Sequence, residues 1–307
     1  MNIIIPIQIT SAMIGAGTTI AEPAAGETAW VSGGAYALGD LRIRTTTHRV
    51  YECVQAHTGR TALPEVDVAY WLDKSPTQRY APFDIYTSTE ATSTTSMTYV
   101  LTPGYFNAVA LYGLTGLSLT ATIKDAPGGT VLYTTTYDLT DPPLGWYEYL
   151  FSPPKVINKV ILKDLPIRPT AELTLTINSG TGGAVGVGMI NVGDYSSLLG
   201  ESDFGGVNYG ASAEPVSYSY IKANDDGTTT IVRRVSATSM RATVTVQADQ
   251  ADQALAKIQS VLDVPVSWIA KDTKGYSGLN VFGLGSASVG YDGFKHATLN
   301  ISVRGLI

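Results

Sequence analysis

The sequence predicts a mainly β protein built as a small β domain, an antiparallel β-sandwich of jelly-roll type and a C-terminal α+β domain with one clear helix. Three observations carry the prediction. Charged residues make up only 15% of the 307, beside 31 glycines and 18 tyrosines, so the surface leans on Ser, Thr, Asn and Gly where an average globular protein uses charge. Apolar runs of about six residues recur between Gly, Pro and Asp turn signals through the middle of the chain. Helical periodicity is confined to one segment, 249–262.

Residues 1–28 read as an N-terminal arm. Asn2-Ile3-Ile4-Ile5-Pro6 has the apolar run of a strand or extended segment. The residues that follow are small, among them Ala12, Gly15, Ala16, Gly17, Ala24, Ala25 and Gly26. Side chains of that size bury too little area to offset the entropy of ordering their own backbone. The arm is therefore expected to lie against a neighbour, in its own domain or in another subunit.

From Trp30 the texture changes, and residues 29–84 are expected to form a small domain. Within it 41–44 and 50–54 read as strands, with Thr45, Thr46, Thr47 and His48 as the turn between them. Fewer than about 60 residues without a disulfide is a marginal size for independent folding. Two tryptophans and two tyrosines must supply much of the core, at roughly 150–250 Å² buried each.

The same residues carry a resemblance. Trp30, Tyr36, Gly39-Asp40 and Arg42-Ile43 are followed by His48-Arg49-Val50-Tyr51-Glu52-Cys53-Val54-Gln55-Ala56-His57-Thr58-Gly59, then by Pro64 and Trp71. This order resembles the small carbohydrate-binding modules of the chitin-binding class. Their pattern is a tryptophan, a Tyr-x-x-Gly-Asp turn, a Tyr-x-(Ala/Cys) strand, an aromatic pair before Thr, a Pro and a closing Trp. The resemblance implies a sugar site on Trp30, Tyr36, Tyr51, His57 and Trp71, where the apolar face of a pyranose packs on aromatic rings. The chain departs from the pattern at Ala56 and His57, which stand where chitin binders carry exposed aromatics. That weakens the stacking platform and favours a scaffold role. The next stretch, Trp71-Leu72-Asp73-Lys74-Ser75-Pro76-Thr77-Gln78-Arg79-Tyr80-Ala81-Pro82-Phe83-Asp84, is similar to a junction in tail-tip proteins of tailed bacteriophages, where it joins the small module to a β-sandwich. Gln78 and Pro82 replace the usual Asn and Met.

Residues 85–192 read as that sandwich, with strands expected at 97–101, 108–112, 117–123, 131–137, 146–151, 156–162, 171–177 and 185–190. Leu117-x-Leu119-x-Ala121-x-Ile123 and Leu173-x-Leu175-x-Ile177 alternate cleanly, which puts apolar residues on one face and Ser/Thr on the other. No helix is expected here. Residues 193–307 mix types. Strands are expected at 229–235, 240–246, 264–270, 279–284 and 297–303, with a helix at 249–262. The helix is predicted by Ala251, Ala254, Leu255, Ile258, Val261 and Leu262 at helical spacing, with Asp249 as its N-cap. Asp194-Tyr195-Ser196, the strand at 231–234, Trp268-Ile269, Val281-Phe282-Gly283 and Leu299-x-Ile301-x-Val303-x-Gly305-Leu306 also look like the phage tail family, so the resemblance covers most of the chain.

Composition excludes several functions. Asp plus Glu number 26 against 20 Lys plus Arg, a net charge of −6 with no basic block, so no nucleic-acid partner is expected. One cysteine, Cys53, and three histidines, His48, His57 and His296, cannot build a Cys/His zinc cage, a redox pair or an internal disulfide, and no cofactor or metal is expected. The longest apolar run, residues 3–9, is broken by Pro6 and Gln8, falls short of the ~18 residues of a membrane helix and has no basic residues before it. Neither membrane insertion nor a secretory signal is expected.

Nor do the chemistry-bearing residues form a recognisable engine. None of the histidines lies in a nucleophile-elbow context. The carboxylate clusters are Asp225-Asp226-Gly227, which reads as a hairpin turn, and Asp138 to Asp141, where Asp141-Pro142-Pro143 reads as a loop; neither has calcium-loop register or the pairing a glycosidase needs. Gly180-Thr181-Gly182-Gly183 lacks the Lys-Ser/Thr of a phosphate loop and reads as a connection between strands. Trp146, Tyr147 and Tyr149 could line a sugar groove but read better as strand residues covering the sandwich.

The expectation is a non-enzymatic virion structural protein of a phage tail tip or baseplate, made in the host cytoplasm. The resemblance implies that it assembles with copies of itself in a ring, trimer or hexamer, and with other tail proteins such as tube or hub. The alternative is a receptor-binding module that attaches to host surface glycan through the small domain.

Overall fold

The computed structural model describes residues 1–86, 88–142, 145–152, 155–180, 182–198, 206–225, 227–233, 235–271 and 275–306. It is mainly β, with a large curled antiparallel sheet and one clear helix.

The large sheet has ten strands among the described residues. Its order begins Lys159–Leu162, Ala108–Tyr112, Met189–Ser197, Asn2–Pro6 and Val266–Ile269. It continues through Asn280–Gly290, His296–Gly305 and Ser236–Gln247, with both Gly206–Val207 and Ser212–Ser217 pairing on the last. The first strand of the chain thus lies in the middle of the sheet. Ile3 and Ile4 are fully buried on opposite faces, Ile3 with Trp268 and Ile4 with Ala110 and Phe282. The small residues behind this strand rest on their own chain. Gly15 N–H donates to Val100 O (2.7 Å) and Thr19 N–H to Thr98 O (2.9 Å), which covers the edge of the Ser96–Leu101 strand.

A second sheet, in the order Val131–Asp138, Ser118–Lys124, Glu172–Asn178, Ser96–Leu101, faces the first three strands of the large one. The alternation read from the sequence decides its faces. Leu119, Ala121, Ile123, Leu173, Leu175 and Ile177 all turn inward onto Val109, Leu111 and Val192. Thr–Thr pairs bridge the outer face, Thr120–Thr136 at 3.0 Å, Thr122–Thr134 at 3.1 Å and Thr98–Thr176 at 3.2 Å.

The large sheet is rolled rather than flat. Lys159 Nζ on its first strand donates to Asn280 O on its sixth at 3.1 Å, and the Tyr112 and Phe282 rings lie 6.1 Å apart. In a flat sheet, at ~4.8 Å per neighbour, Lys159 and Asn280 would stand roughly 24 Å apart and Tyr112 and Phe282 roughly 19 Å. Small residues on the inner surface, Ala108, Ala110 and Gly193, permit the curl. A Cβ on Gly193 would stand 1.9 Å from Ile5 O. On the convex side the Ala251–Gln259 helix packs Ala251, Ala254 and Ile258 against Val244, Val246 and Leu299.

Several expected elements are corrected. The 146–151 segment is a helix, Trp146–Phe151, because its large residues have no sheet face to alternate against. The 156–162 strand is two pieces, Lys155–Val156 pairing with Thr140–Asp141, and Lys159–Leu162 in the large sheet. The 185–190 strand also divides: Val185–Val187 pairs with Ala91–Ser93, and the chain changes sheets at Gly188, whose N–H donates to Tyr112 O at 3.1 Å. The Ala251–Gln259 helix is shorter than expected at both ends, and Gln250, not Asp249, precedes it. The expected 229–235 strand is Thr229–Val232, hairpinned with Tyr220–Ala223; Arg234 falls outside the described residues.

The small domain is a three-stranded sheet, Leu41–Arg44, Arg49–Cys53 and Trp71–Pro76, with a short pair, Ala35–Tyr36 and His57–Thr58. Carboxylates of the first segment tie it to the rest. Glu22 takes His48 Nδ1 at 2.8 Å and the Thr77 hydroxyl at 2.7 Å, and Glu27 accepts the Gln78 N–H at 2.7 Å.

Candidate functional site

The five residues expected to hold a sugar form the core of the small domain. Tyr36, Tyr51 and Trp71 are buried together with Cys53, and Trp30 and Tyr70 pack against them half-buried. The Tyr36 and Trp71 rings meet edge to face at 5.0 Å. His57 stands among three aromatics, 5.4 Å from Tyr36, 5.2 Å from Tyr70 and 5.5 Å from Trp71. Guanidinium groups lie over the rings that approach the surface, Arg44 over Trp30 at 5.2 Å and Arg60 over Tyr70 at 3.7 Å. Arg60 is held in turn by a two-point bond to Asp67 (2.7 and 3.0 Å), which raises its pKa. The Tyr36 hydroxyl is spent on the Val31 backbone, donating to its carbonyl at 2.7 Å. No aromatic residue of 29–84 is among the exposed large side chains, which there are aliphatic, such as Leu38 and Val66. These rings supply the stability of a domain too small to be held by aliphatic packing alone.

The other chemistry-bearing residues are dispersed. His48 occupies the expected turn with φ +57° and stacks on Tyr80 at 3.9 Å, while His296 begins a strand of the large sheet. Asp225 lies in the expected hairpin turn, closed by Gly227 N–H to Asn224 O at 3.1 Å, and Asp226 is outside the described residues. Asp138 ends a strand and Asp141 pairs with Lys155 in a short ladder. The 180–183 glycines form a loop in which Ser179 Oγ donates to Gly183 O at 2.6 Å; Thr181 is outside the described residues. Among the described residues no group of three or more His, Cys, Asp and Glu is placed to hold a metal ion, and no helix is long and apolar enough to cross a membrane.

Two features stand out instead. The first is the Trp146–Phe151 helix, carried on the two-rung ladder of Thr140–Asp141 with Lys155–Val156. Buried Leu139 and partly buried Ile157 anchor that ladder in the sandwich core. The helix itself buries nothing: Trp146, Tyr147, Tyr149, Leu150 and Phe151 are 64–82% exposed. Five large apolar side chains in six positions at the end of a stalk form a surface that soluble proteins keep for an interaction. The sequence signal was the lack of alternation: a strand would have put Glu148 on the same face as Trp146 and Leu150.

The second feature is a cleft of about 400 Å³ where the central ladder opens. Asn2–Pro6 pairs with Val266–Ile269 only from Asn2 to Ile4, while its other edge stays paired to Gly193. The parted strands leave a cavity walled by Pro6, Ile7, Met189, Pro265 and Phe282, with Ile85 at half exposure. Asn191 also lines it. Its amide donates to Ser267 Oγ at 2.6 Å, and its side-chain oxygen is buried without a partner.

Comparisons with protein-family models, with curated proteins and with solved structures find no match to this chain.

Proposed function

We propose that the chain is a virion structural protein of a phage tail tip or baseplate, which assembles with copies of itself and with tube or hub proteins. The phage setting rests on the junction motif at 71–84 and the tail-like segments of the C-terminal region. The observation that carries the assembly role is the exposed aromatic helix Trp146–Phe151, a surface whose free energy in water falls on contact with another protein. The end strands of the large sheet, Lys159–Leu162 and Ser212–Ser217, have no further strand partner among the described residues and offer contacts by edge pairing. The glycan-attachment alternative requires exposed rings in the small domain, and there the candidate rings are packed against one another.

Sedimentation of the purified chain together with a reconstruction of the particle tests the reading. Concentration-dependent oligomers, and density for this fold at the tail tip in rotationally repeated copies, are expected. A chain that stays monomeric and has no density in the virion would refute it.

A further inference from the structure

We propose that the rolled sheet is hinged: its sandwich half and its C-terminal half turn about the short ladder joining Asn2–Ile4 to Ser267–Ile269, which opens and closes the cleft beside Pro6. The hinge belongs to the single chain and does not depend on the assembly reading. The ladder has three rungs, Asn2 with Ile269, Ile3 with Trp268 and Ile4 with Ser267. Continued in the same register, it would set Ile5 against Val266 and Pro6 against Pro265. Main-chain groups point to alternate sides along a strand, and Ile7 N–H donates at 2.8 Å to Val192 O, in the strand on the side away from Val266–Ile269. The nitrogen of residue 6 therefore points towards residue 265. A rung at that place needs an N–H from each residue, and proline has none. The two prolines stop the ladder, and both stand on the cleft wall.

Across the roll the two halves are held without a ladder. Lys159 Nζ meets Asn280 O, the Tyr112 ring meets Phe282, and Lys159–Leu162 is not paired with Asn280–Gly290. The layer between them is partly polar. Asn191, Ser267 and Asn280 are buried in it, and the side-chain oxygens of Asn191 and Asn280 have no partner among the described residues. Burial also lowers the pKa of Lys159. Opening returns water to these groups, which offsets part of the packing lost when the halves separate. Near Asn2, by contrast, the halves are tied: Lys257 Nζ donates to Ser197 O at 2.9 Å, Leu198 packs in the helix-covered core, and Ser197 is the ladder partner of Asn2. A ladder fastened at one end and stopped at the other lets the halves swing without unzipping.

Methyl relaxation dispersion on the full chain tests the hinge, because such motions of packed halves fall between microseconds and milliseconds. Ile161, Met189 and Ile269, which face the inside of the roll, should show exchange, while Leu119, Leu173 and Val303 in the two apolar cores should not. Two variants with the circular dichroism of the parent should each lower the open population at least about tenfold. Lys159→Met/Asn280→Leu makes the seam apolar. Pro6→Ala/Pro265→Ala supplies the missing donors, and slowly exchanging amides at both positions would mark the added rung. Should one variant fail to fold, the other decides. A parent without exchange, exchange spread evenly through all three cores, or exchange unchanged in either folded variant would overturn the proposal.

Discussion

Glu22 shows how one carboxylate can hold distant parts of a chain together. It stands in the first segment, its side chain 8% exposed, and bonds His48 in the small domain and Thr77 at the junction. Thr77 is fully buried, so loss of the acceptor strands its hydroxyl. Glu22→Ala should lower stability by about 2–3 kcal/mol in urea unfolding, and Glu22→Gln, which keeps an acceptor, by less; equal losses would mean that the hydrogen bonds contribute nothing. Lys159 makes the opposite case. Burial lowers its pKa, so the unfolded chain keeps this proton to higher pH than the folded one. The folded state is therefore penalised at neutral pH, and its stability rises with pH across the window between the folded and unfolded values. Lys159→Met should be more stable than the parent at pH 7, and that advantage should shrink at alkaline pH. A difference independent of pH would show that charge is not the cause. Neither role was legible in the sequence, since Glu22 sits in a run of small residues and Lys159 in an ordinary strand pattern. Burial of a charge depends on what folds over it.

At the scale of elements, legibility followed periodicity. The Ser118–Lys124 and Glu172–Asn178 strands alternate strictly, and each inward position read from the pattern is buried except Leu117, which precedes its strand and is 49% exposed. The Ala251–Gln259 helix was found from its spacing, although its ends moved, because the last apolar residues, Val261 and Leu262, continue into a turn rather than the helix. Trp146–Phe151 is a helix where alternation after a Pro-Pro-x-Gly turn predicts a strand, because five large residues in six satisfy a period of two without specifying it. The central Asn2–Pro6 strand and the Trp146–Phe151 helix should respond oppositely to substitution. Ile4→Asp sets an unpaired charge in the centre of the sheet and should cost at least about 4 kcal/mol, enough to unfold the protein or nearly so. Trp146→Ala, at a position 82% exposed, should change the stability of the monomer by less than about 0.5 kcal/mol. Denaturant melts of the two variants check both, and a strongly destabilised Trp146→Ala would show that the helix packs on its own molecule.

For the whole molecule the decisive fact is that one sheet runs through both the sandwich and the C-terminal region, joined by the Asn2–Pro6 strand. The two regions should therefore open together. Native-state hydrogen exchange is expected to give the same opening free energy for the amides of Val192 and Trp268, on either side of that strand; values apart by more than about 1 kcal/mol would mean the regions unfold independently. Low net charge and few ionisable groups suit surfaces that meet other subunits, and the exposed Trp146–Phe151 helix is where that meeting is proposed. The sequence by itself determined the strand-rich class, the inward faces of the alternating strands, the single amphipathic helix and the aromatic set of the small domain. Only the tertiary structure decided that the first strand sits at the centre of the sheet, that the sheet rolls until its first and sixth strands touch, and that those aromatics face one another instead of solvent. The physical reason is that a period of two says which side of a strand is apolar but not which strand lies beside it. Pairing between residues as distant as Ile4 and Tyr195 is settled by the burial available when the whole chain folds.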